Sequence, residues 1–238
     1  MPILQSACSE RRDQALGCVW FLPSSKLRFM SLIIPEQKLI FLHIPKCAGQ
    51  SVEKALGFRH QHRHHKRRDL PQDWSDYLRF TFVRHPLSRF LSACNYNLRV
   101  AQKTRHELRK LPIDQLSLTK RYRLHLAENR PNISSIVDDL RRGRLRRMIT
   151  FKPQSLWLLA GQPQFIGRVE SFNQDFQVLN RLIELRIKRP FVSAPPHTNR
   201  SNRWFTSEQL SRTDRKHIRR YYHLDYKMTG YGKKPPVI

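Results

Sequence analysis

Lys38–Ile44, KLIFLHI, is the segment that most narrows the folds open to this chain. It is short, almost wholly apolar and rich in Ile, Leu and Phe, which suits a strand buried on both faces in a parallel sheet. Pro45 stops the run, and Gly49 permits a tight turn. Ser51–Leu56 (SVEKAL) supplies helix formers before Gly57 ends them. The order then repeats: Leu78–Arg84 (LRFTFVR) alternates and is β-rich, Pro86 breaks it, and Leu87–Leu98 carries Phe90, Leu91 and Leu98 at helical spacing. Two strand–turn–helix units predict an α/β fold, a central parallel sheet flanked by helices with ligands at the carboxyl ends of the strands.

The rest of the chain is consistent with that frame. Arg59–Arg68 (RHQHRHHKRR) reads as a basic, His-dense loop between the two units. Arg99–Met148 is helical in pattern and holds 14 Lys+Arg against 5 Asp+Glu. Phe151–Leu159 suits a short helix and Gln164–Val169 a short strand. After Glu170 and Ser171 comes an amphipathic helix with Phe172, Phe176, Leu179, Leu182 and Ile183 on one face. Pro190, Pro195 and Pro196 mark a long loop that runs on through His197–Arg203, and Ser207–Tyr222 reads as a final helix. Residues 1–29 mix Ser, Arg, Pro and an unpatterned apolar patch. They are expected to form a poorly ordered leader, with Met30 a candidate start and 30–238 a single domain.

Forty-five Lys+Arg against 18 Asp+Glu leave a formal charge of +27, a self-repulsion that calls for an anionic partner. Nucleic acid, an acidic polysaccharide, anionic lipid and a nucleotide all qualify. Cys8, Cys18, Cys47 and Cys94 are too scattered for a disulfide framework and form no C-x-x-C metal pair. No run approaches the roughly 20 apolar residues of a membrane-spanning helix. Ala15–Leu22 is short and follows Asp13, a poor signal peptide. A cytoplasmic, reducing location is the expectation.

A strand that enters a helix through a Gly-containing loop aims unpaired N–H groups and the helix dipole at one spot, an anion site. Lys46 adds a mobile ammonium there and Ser51 a hydroxyl. The order differs from G-x-x-x-x-G-K-[ST]: no Ser or Thr follows Lys46, so the usual Mg²⁺ ligand is missing and a metal-assisted nucleotide kinase or NTPase is disfavoured. An ordinary tight turn with a solvated lysine fits the same residues. In the second unit Arg84 can fork onto a phosphate and Ser92, on the following helix, can donate a hydroxyl to it. The alternatives are a salt bridge for Arg84 and a back-bonded helix hydroxyl for Ser92. Two cationic strand ends suit a ligand with two separated phosphate-like groups.

Ile40–Ser51, IFLHIPKCAGQS, resembles the 5′-phosphosulfate-binding loop of the carbohydrate sulfotransferases, the branch that holds heparan uronyl 2-O-sulfotransferases and many bacterial relatives (sulfotransferase family 2). Phe80–Ser92, FTFVRHPLSRFLS, is similar to that family's 3′-phosphate-binding segment. Weaker likeness continues through Pro153-Gln154, Ile166–Glu170, Asp175-Phe176, Asn199–Ser201, Asp225-Tyr226 and Gly230-Tyr231, so it spans roughly 38–231. Cys47 and Gln50 stand where the family commonly has Thr, and His85 where it has Asp or Asn. The resemblance implies a P-loop-like three-layer sandwich. It also implies 3′-phosphoadenosine 5′-phosphosulfate (PAPS) as co-substrate, no metal, and a hydroxyl acceptor, for which the charge suggests an acidic saccharide.

The resemblance further implies roles. Lys46 would meet the oxygen that leaves sulfur, while Lys46, Cys47, Ala48, Gly49, Gln50 and Ser51 hold the 5′-phosphate, largely through backbone N–H groups. Arg84 and Ser92 would take the 3′-phosphate, with Arg200 and Ser201 as further cofactor contacts and Arg168 a lesser candidate. The base would be a His between the loops. His64 is favoured because HHKRRDL best matches the bacterial relatives, His62 is second, and His60 and His65 complete the set. Neighbouring Arg and Lys would hold such a His below its reference pKa of about 6.5, neutral and able to accept a proton. A metal-binding or merely solvated His loop is the competing reading. His43 reads as structural, orienting the loop, and Glu170 as a stabiliser of its helix start. The rival functions are a basic nucleic-acid-binding protein, against which the aromatics are not interleaved with the basic residues, and an inactive glycan-binding relative.

Overall fold

The structure, a computed structural model, describes residues 28–58, 61–188, 204–233 and 235. His60, the Arg200–Ser201 pair and the leader up to residue 27 lie outside the described residues. Five strands, β1 (Arg28–Ile34), β2 (Leu39–Leu42), β3 (Arg63–Lys66), β4 (Leu78–Val83) and β5 (Phe165–Arg168), form one sheet in the order β3-β1-β2-β4-β5. The expected units are there: β2 is parallel to β4 and β4 to β5.

The sheet is mixed rather than wholly parallel. β1 runs antiparallel to β2, and β3 antiparallel to β1. The reason is the connection. Only the turn Pro35–Gln37 and Lys38, at φ 50, separate β1 from β2, whereas a parallel crossover needs a dozen or more residues. Among the described residues regular structure is present from Arg28, two residues before Met30. The segment read as a His-dense loop contains β3, whose RHHK sequence has no apolar alternation to announce it. It is held by backbone pairing at the sheet edge, where charged side chains are tolerated.

Helices cover both faces. Leu39, Phe41, Phe80 and Phe82 pack against Val52 and Ala55 of α1 (Gly49–Ala55) and Phe172 and Phe176 of α6 (Phe172–Ile187). On the other face Ile40, Leu42 and Val83 meet Trp157, Leu158 and Ala160 of α5 (Ser155–Gly161). Beside this sandwich α2 (Pro86–Arg109), α3 (Leu118–Asn129), α4 (Ile133–Arg141) and α7 (Arg212–Tyr221) close on Phe90, Leu126, Ile136 and Ile218.

Boundaries moved where local chemistry decides them. α2 continues to Arg109 because mostly good helix formers follow Leu98 and no Pro intervenes before Pro112. The expected last helix starts instead at Arg212, where Ser211 and Asp214 form a reciprocal capping box, and α8 (His223–Thr229) follows it. Leu182, assigned by periodicity to the buried face of α6, is exposed. Among the described residues no helix is long and apolar enough to cross a membrane.

Candidate active site

β2 delivers the chain into a turn in which Lys46 (φ 71) and Ala48 (φ 57) both adopt the left-handed conformation. For non-glycine residues this costs about 1–2 kcal/mol each, so the surroundings must enforce it. Part of that enforcement is Arg89. Its side chain is 1% exposed and its Nε donates to the Pro45 carbonyl at 3.0 Å. Within the loop the Cys47 N–H bonds Ile44 O, and the N–H groups of Ser51 and Val52 both turn back to Ala48 O. Among the described residues, no backbone or side-chain acceptor takes the N–H of Lys46, Ala48 or Gly49. Arg89 Nη2 is likewise buried with no hydrogen-bond partner there. Arg89 escaped the sequence reading, although a guanidinium flanked by core residues in Leu87-Ser-Arg-Phe-Leu91 was a legible anomaly.

Gln154 joins this loop to the second one. Its Oε1 accepts the Arg84 N–H at 2.9 Å and the Cys47 thiol at 3.1 Å, and its Nε2 donates to Arg84 O at 2.8 Å. Gln154 is itself fixed by the buried Asp225 carboxylate, which accepts the N–H groups of Gln154 and Ser155, each at 2.8 Å. Burial pushes the Cys47 thiol up to about 12, so the sulfur stays protonated and bonds inward. What Cys47 can offer a ligand is backbone shape rather than a side-chain contact.

Above the loop, Lys46 Nζ lies 4.3 Å from the centroid of Tyr96 on α2. Burial, then the charges of Arg99 and Arg84, bring its pKa down to about 8; Cys47 opposes this and Arg89 adds to it. Ser92 lies one helical turn before Tyr96 and is half-buried, as is Arg84; Gln50 is exposed.

The histidines divide. The Glu53 carboxylate, 1% exposed, accepts at Oε1 from His43 Nδ1 and from His62 Nδ1, both at 2.5 Å, and the two rings lie 4.1 Å apart. Burial pushes the Glu53 carboxyl up, but the hydrogen bonds and charges of the two imidazoles outweigh it and hold it below the usual value. An ionised Glu53 fixes Nδ1–H on each ring, which makes Nε2 the basic nitrogen of both. His43 Nε2 faces the loop, for a Cβ on Gly49 would stand 2.4 Å from it. His62 is therefore built into a cluster that touches the Lys46 loop. His64, the first choice of the sequence reading, pairs across from Met30 in β3, is exposed, and lies outside that cluster. His65 bonds Ser31 Oγ at 2.7 Å, and burial lowers its pKa. Glu53 was missed because nothing in SVEKAL distinguishes a buried acid from a solvated one. The donor atoms of His43, Glu53 and His62 lie within 4.8 Å of one another, a set that could also hold a divalent cation.

The other residues singled out from sequence are tied into the fold. Glu170 accepts the His85 N–H at 2.8 Å and the Tyr231 hydroxyl at 2.5 Å, so it stabilises the turn after β4 rather than its own helix start. His85 Nε2 meets Gly232 O at 3.0 Å. Arg168 stacks 4.9 Å from the Tyr231 ring centre and donates to Thr229 O.

Fold and site together define an α/β protein that presents two cation-bearing loops, side by side, at the carboxyl ends of parallel strands. A sequence model of the sulfotransferase family matches residues 30–232, nearly the whole described chain, and the protein belongs to that family. Comparison with curated proteins and with solved structures gives no match.

Proposed function

We propose that this sulfotransferase takes its sulfuryl group from PAPS and delivers it to a hydroxyl of a carbohydrate. The observation that carries the reading is the Gln154 bridge, which holds Arg84 and the Cys47 turn to one side chain and so keeps the two cation-bearing strand ends at a fixed separation. A nucleotide with phosphate groups at both 3′ and 5′ positions suits that arrangement. The residues also fit it chemically. The N–H groups of Lys46, Ala48 and Gly49 and the buried Nη2 of Arg89 ask for acceptors, and Lys46 is crowded by like charges that an anion would relieve.

When bound, PAPS supplies an activated sulfuryl group on its 5′-phosphate. Lys46 and the loop amides hold that end, and Arg84 with Ser92 the 3′-phosphate. His62 Nε2 takes the proton of the acceptor hydroxyl, and Glu53 keeps the ring in the tautomer that can accept it. The Lys46 ammonium offsets the negative charge released on the departing oxygen. One contact of this kind is worth on the order of 10²–10³ in rate.

The test is a thermal shift with 3′,5′-ADP against ATP plus Mg²⁺, followed by transfer assays on Lys46→Ala. At 100 times its dissociation constant 3′,5′-ADP should stabilise the fold by about 2.7 kcal/mol, and Lys46→Ala should lose nearly all transfer while keeping some nucleotide binding. Stabilisation by Mg-ATP or by duplex DNA, with none by 3′,5′-ADP, would overturn the reading.

A further inference from the structure

Tyr96 is surrounded by cations. Besides Lys46 Nζ at 4.3 Å, the guanidinium carbons of Arg99 and Arg123 lie 5.9 and 5.8 Å from the same ring centre. All four residues are half-buried. Among the described residues no carboxylate pairs with Arg99 or Arg123. Some arginines of the same basic region are paired. Arg109, Arg141, Arg142 and Arg144 each meet a carboxylate, at 3.0, 2.7, 2.6 and 2.8 Å.

One aromatic ring can offset part of the repulsion among three partly desolvated cations, but it carries no net charge. Arg123 is also aimed. Its Nε donates to Asn97 Oδ1 at 3.3 Å, and Asn97 is fully buried and fixed by Thr150. That bond uses one donor of the five on the guanidinium.

Position gives the cluster its role. Ser92, Tyr96 and Arg99 follow one another at helical spacing along one stripe of α2, so Arg99 lies about 10 Å along the axis from Ser92, with Lys46 seated between them. If Ser92 belongs to the cofactor and Lys46 to the reacting end, Arg99 and Arg123 stand on the acceptor side.

We propose that Tyr96, Arg99 and Arg123 form an acceptor subsite that takes an oxyanion, a carboxylate or a sulfate, of an acidic saccharide beside Lys46. The assignment rests on the PAPS reading above and narrows its acceptor to saccharides that already carry negative charge. Two arginines and a lysine around one ring match a planar carboxylate or a sulfate through charge-assisted hydrogen bonds.

The experiment measures binding of two hexasaccharides to the full chain in saturating 3′,5′-ADP. One is unsulfated hyaluronan, which offers carboxylates only, and the other is heparin-derived, which offers sulfates too; the tighter of the two identifies the oxyanion. Arg99→Gln/Arg123→Gln should weaken that hexasaccharide about tenfold, with 3′,5′-ADP affinity changed less than about twofold. Arg99→Lys/Arg123→Lys, which keeps the charge, should fall between. The charge-matched control Lys216→Gln/Arg220→Gln, on the surface of α7, should have little effect. Equal weakening by the control and the subsite variant would overturn the proposal, as would no binding of either saccharide. A parallel loss of 3′,5′-ADP affinity would assign the arginines to the cofactor and sink the subsite while leaving the PAPS reading intact. Absence of 3′,5′-ADP binding by the unaltered protein would sink both.

Discussion

A Cβ built on Gly49 would lie 2.4 Å from Nε2 of His43, closer than side-chain carbons approach one another. The His43 ring cannot withdraw, since it is buried at the end of β2 and Glu53 holds its Nδ1. Gly49→Ala must therefore displace the loop. The expected cost is about 1–3 kcal/mol in denaturant melts, with loss of the thermal shift produced by 3′,5′-ADP. The control is Gly49→Ala in a His43→Ala background. With the ring gone the methyl has room, so the pair should destabilise by less than the sum of the single changes.

The Glu53 carboxylate predicts two separable effects. Glu53→Gln replaces an ionised acceptor with a neutral amide between two imidazoles, so His62 loses the group that fixes its tautomer. Transfer should fall about 10²-fold, the low end for losing a positioned base, with 3′,5′-ADP affinity nearly unchanged. Stability carries a pH signature. The folded carboxyl is held below its ordinary value, so the native state binds fewer protons than the unfolded chain in the acid range. That contribution is fully present above the unfolded value of about 4.3 and is lost as pH falls through the folded value. The gap between the parent and Glu53→Gln, followed by urea melts, should be widest near neutrality and close on acidification.

Lys46 gives the opposite limb. Its ammonium is disfavoured by burial and by Arg99 and Arg84, so it deprotonates around 8 in the free protein rather than at the ordinary lysine value of 10.5. Loss of the charge should weaken 3′,5′-ADP binding as pH rises through about 8. Titration calorimetry at pH 7, 8 and 9 should show this in the parent and not in Lys46→Ala. The stability sign follows from the same shift. Between about 8 and 10.5 the unfolded chain retains a proton that the native lysine has released, so this group makes the fold more stable as pH rises there.

How far the chain could be read in advance depended on whether a residue's job is local. Lys38–Ile44 and Leu78–Arg84 announce β2 and β4 because apolar runs and the prolines after them act within a few residues. Lys46 and Arg84 could be singled out for the same reason, as polar groups at strand–helix turns, and Ser92 as a hydroxyl on the helix that follows. β3 was lost because its pairing is long-range, His64 finding Met30 only through the assembled sheet, whereas β1 pairs locally with β2 but begins in a segment with no clear alternation, RFMSLII. The choice between His62 and His64 turns on contacts of the same long-range kind. Both sit in RHQHRHHK, and only the packing of α1 against β2 puts Glu53 within reach of His62. Arg89 and Gln154 illustrate a third kind, side chains whose partners are backbone atoms 44 and 70 residues away.

Gln154 offers the most direct test that the two loops act as one unit. Its side chain is fully buried and uses both ends, accepting from the Arg84 N–H and the Cys47 thiol while donating to Arg84 O. Gln154→Ala would remove the hydrogen bonds that Gln154 makes to the part-buried Arg84 N–H and carbonyl, and each lost bond costs about 1 kcal/mol. Gln154→Glu keeps the shape and the acceptor but cannot donate to Arg84 O while ionised, so it separates the two bonds. The expectation is a lowered melting temperature for both. Binding of 3′,5′-ADP should weaken in both, more than for a destabilising change far from the loops, because the 5′ and 3′ ends would no longer be held at a fixed separation. On the proposed reading adenosine 5′-phosphosulfate, which lacks the 3′-phosphate, engages only the Lys46 loop. Its affinity should drop less than that of 3′,5′-ADP, and an equal drop for both would show that Gln154 supports the fold without coupling the loops.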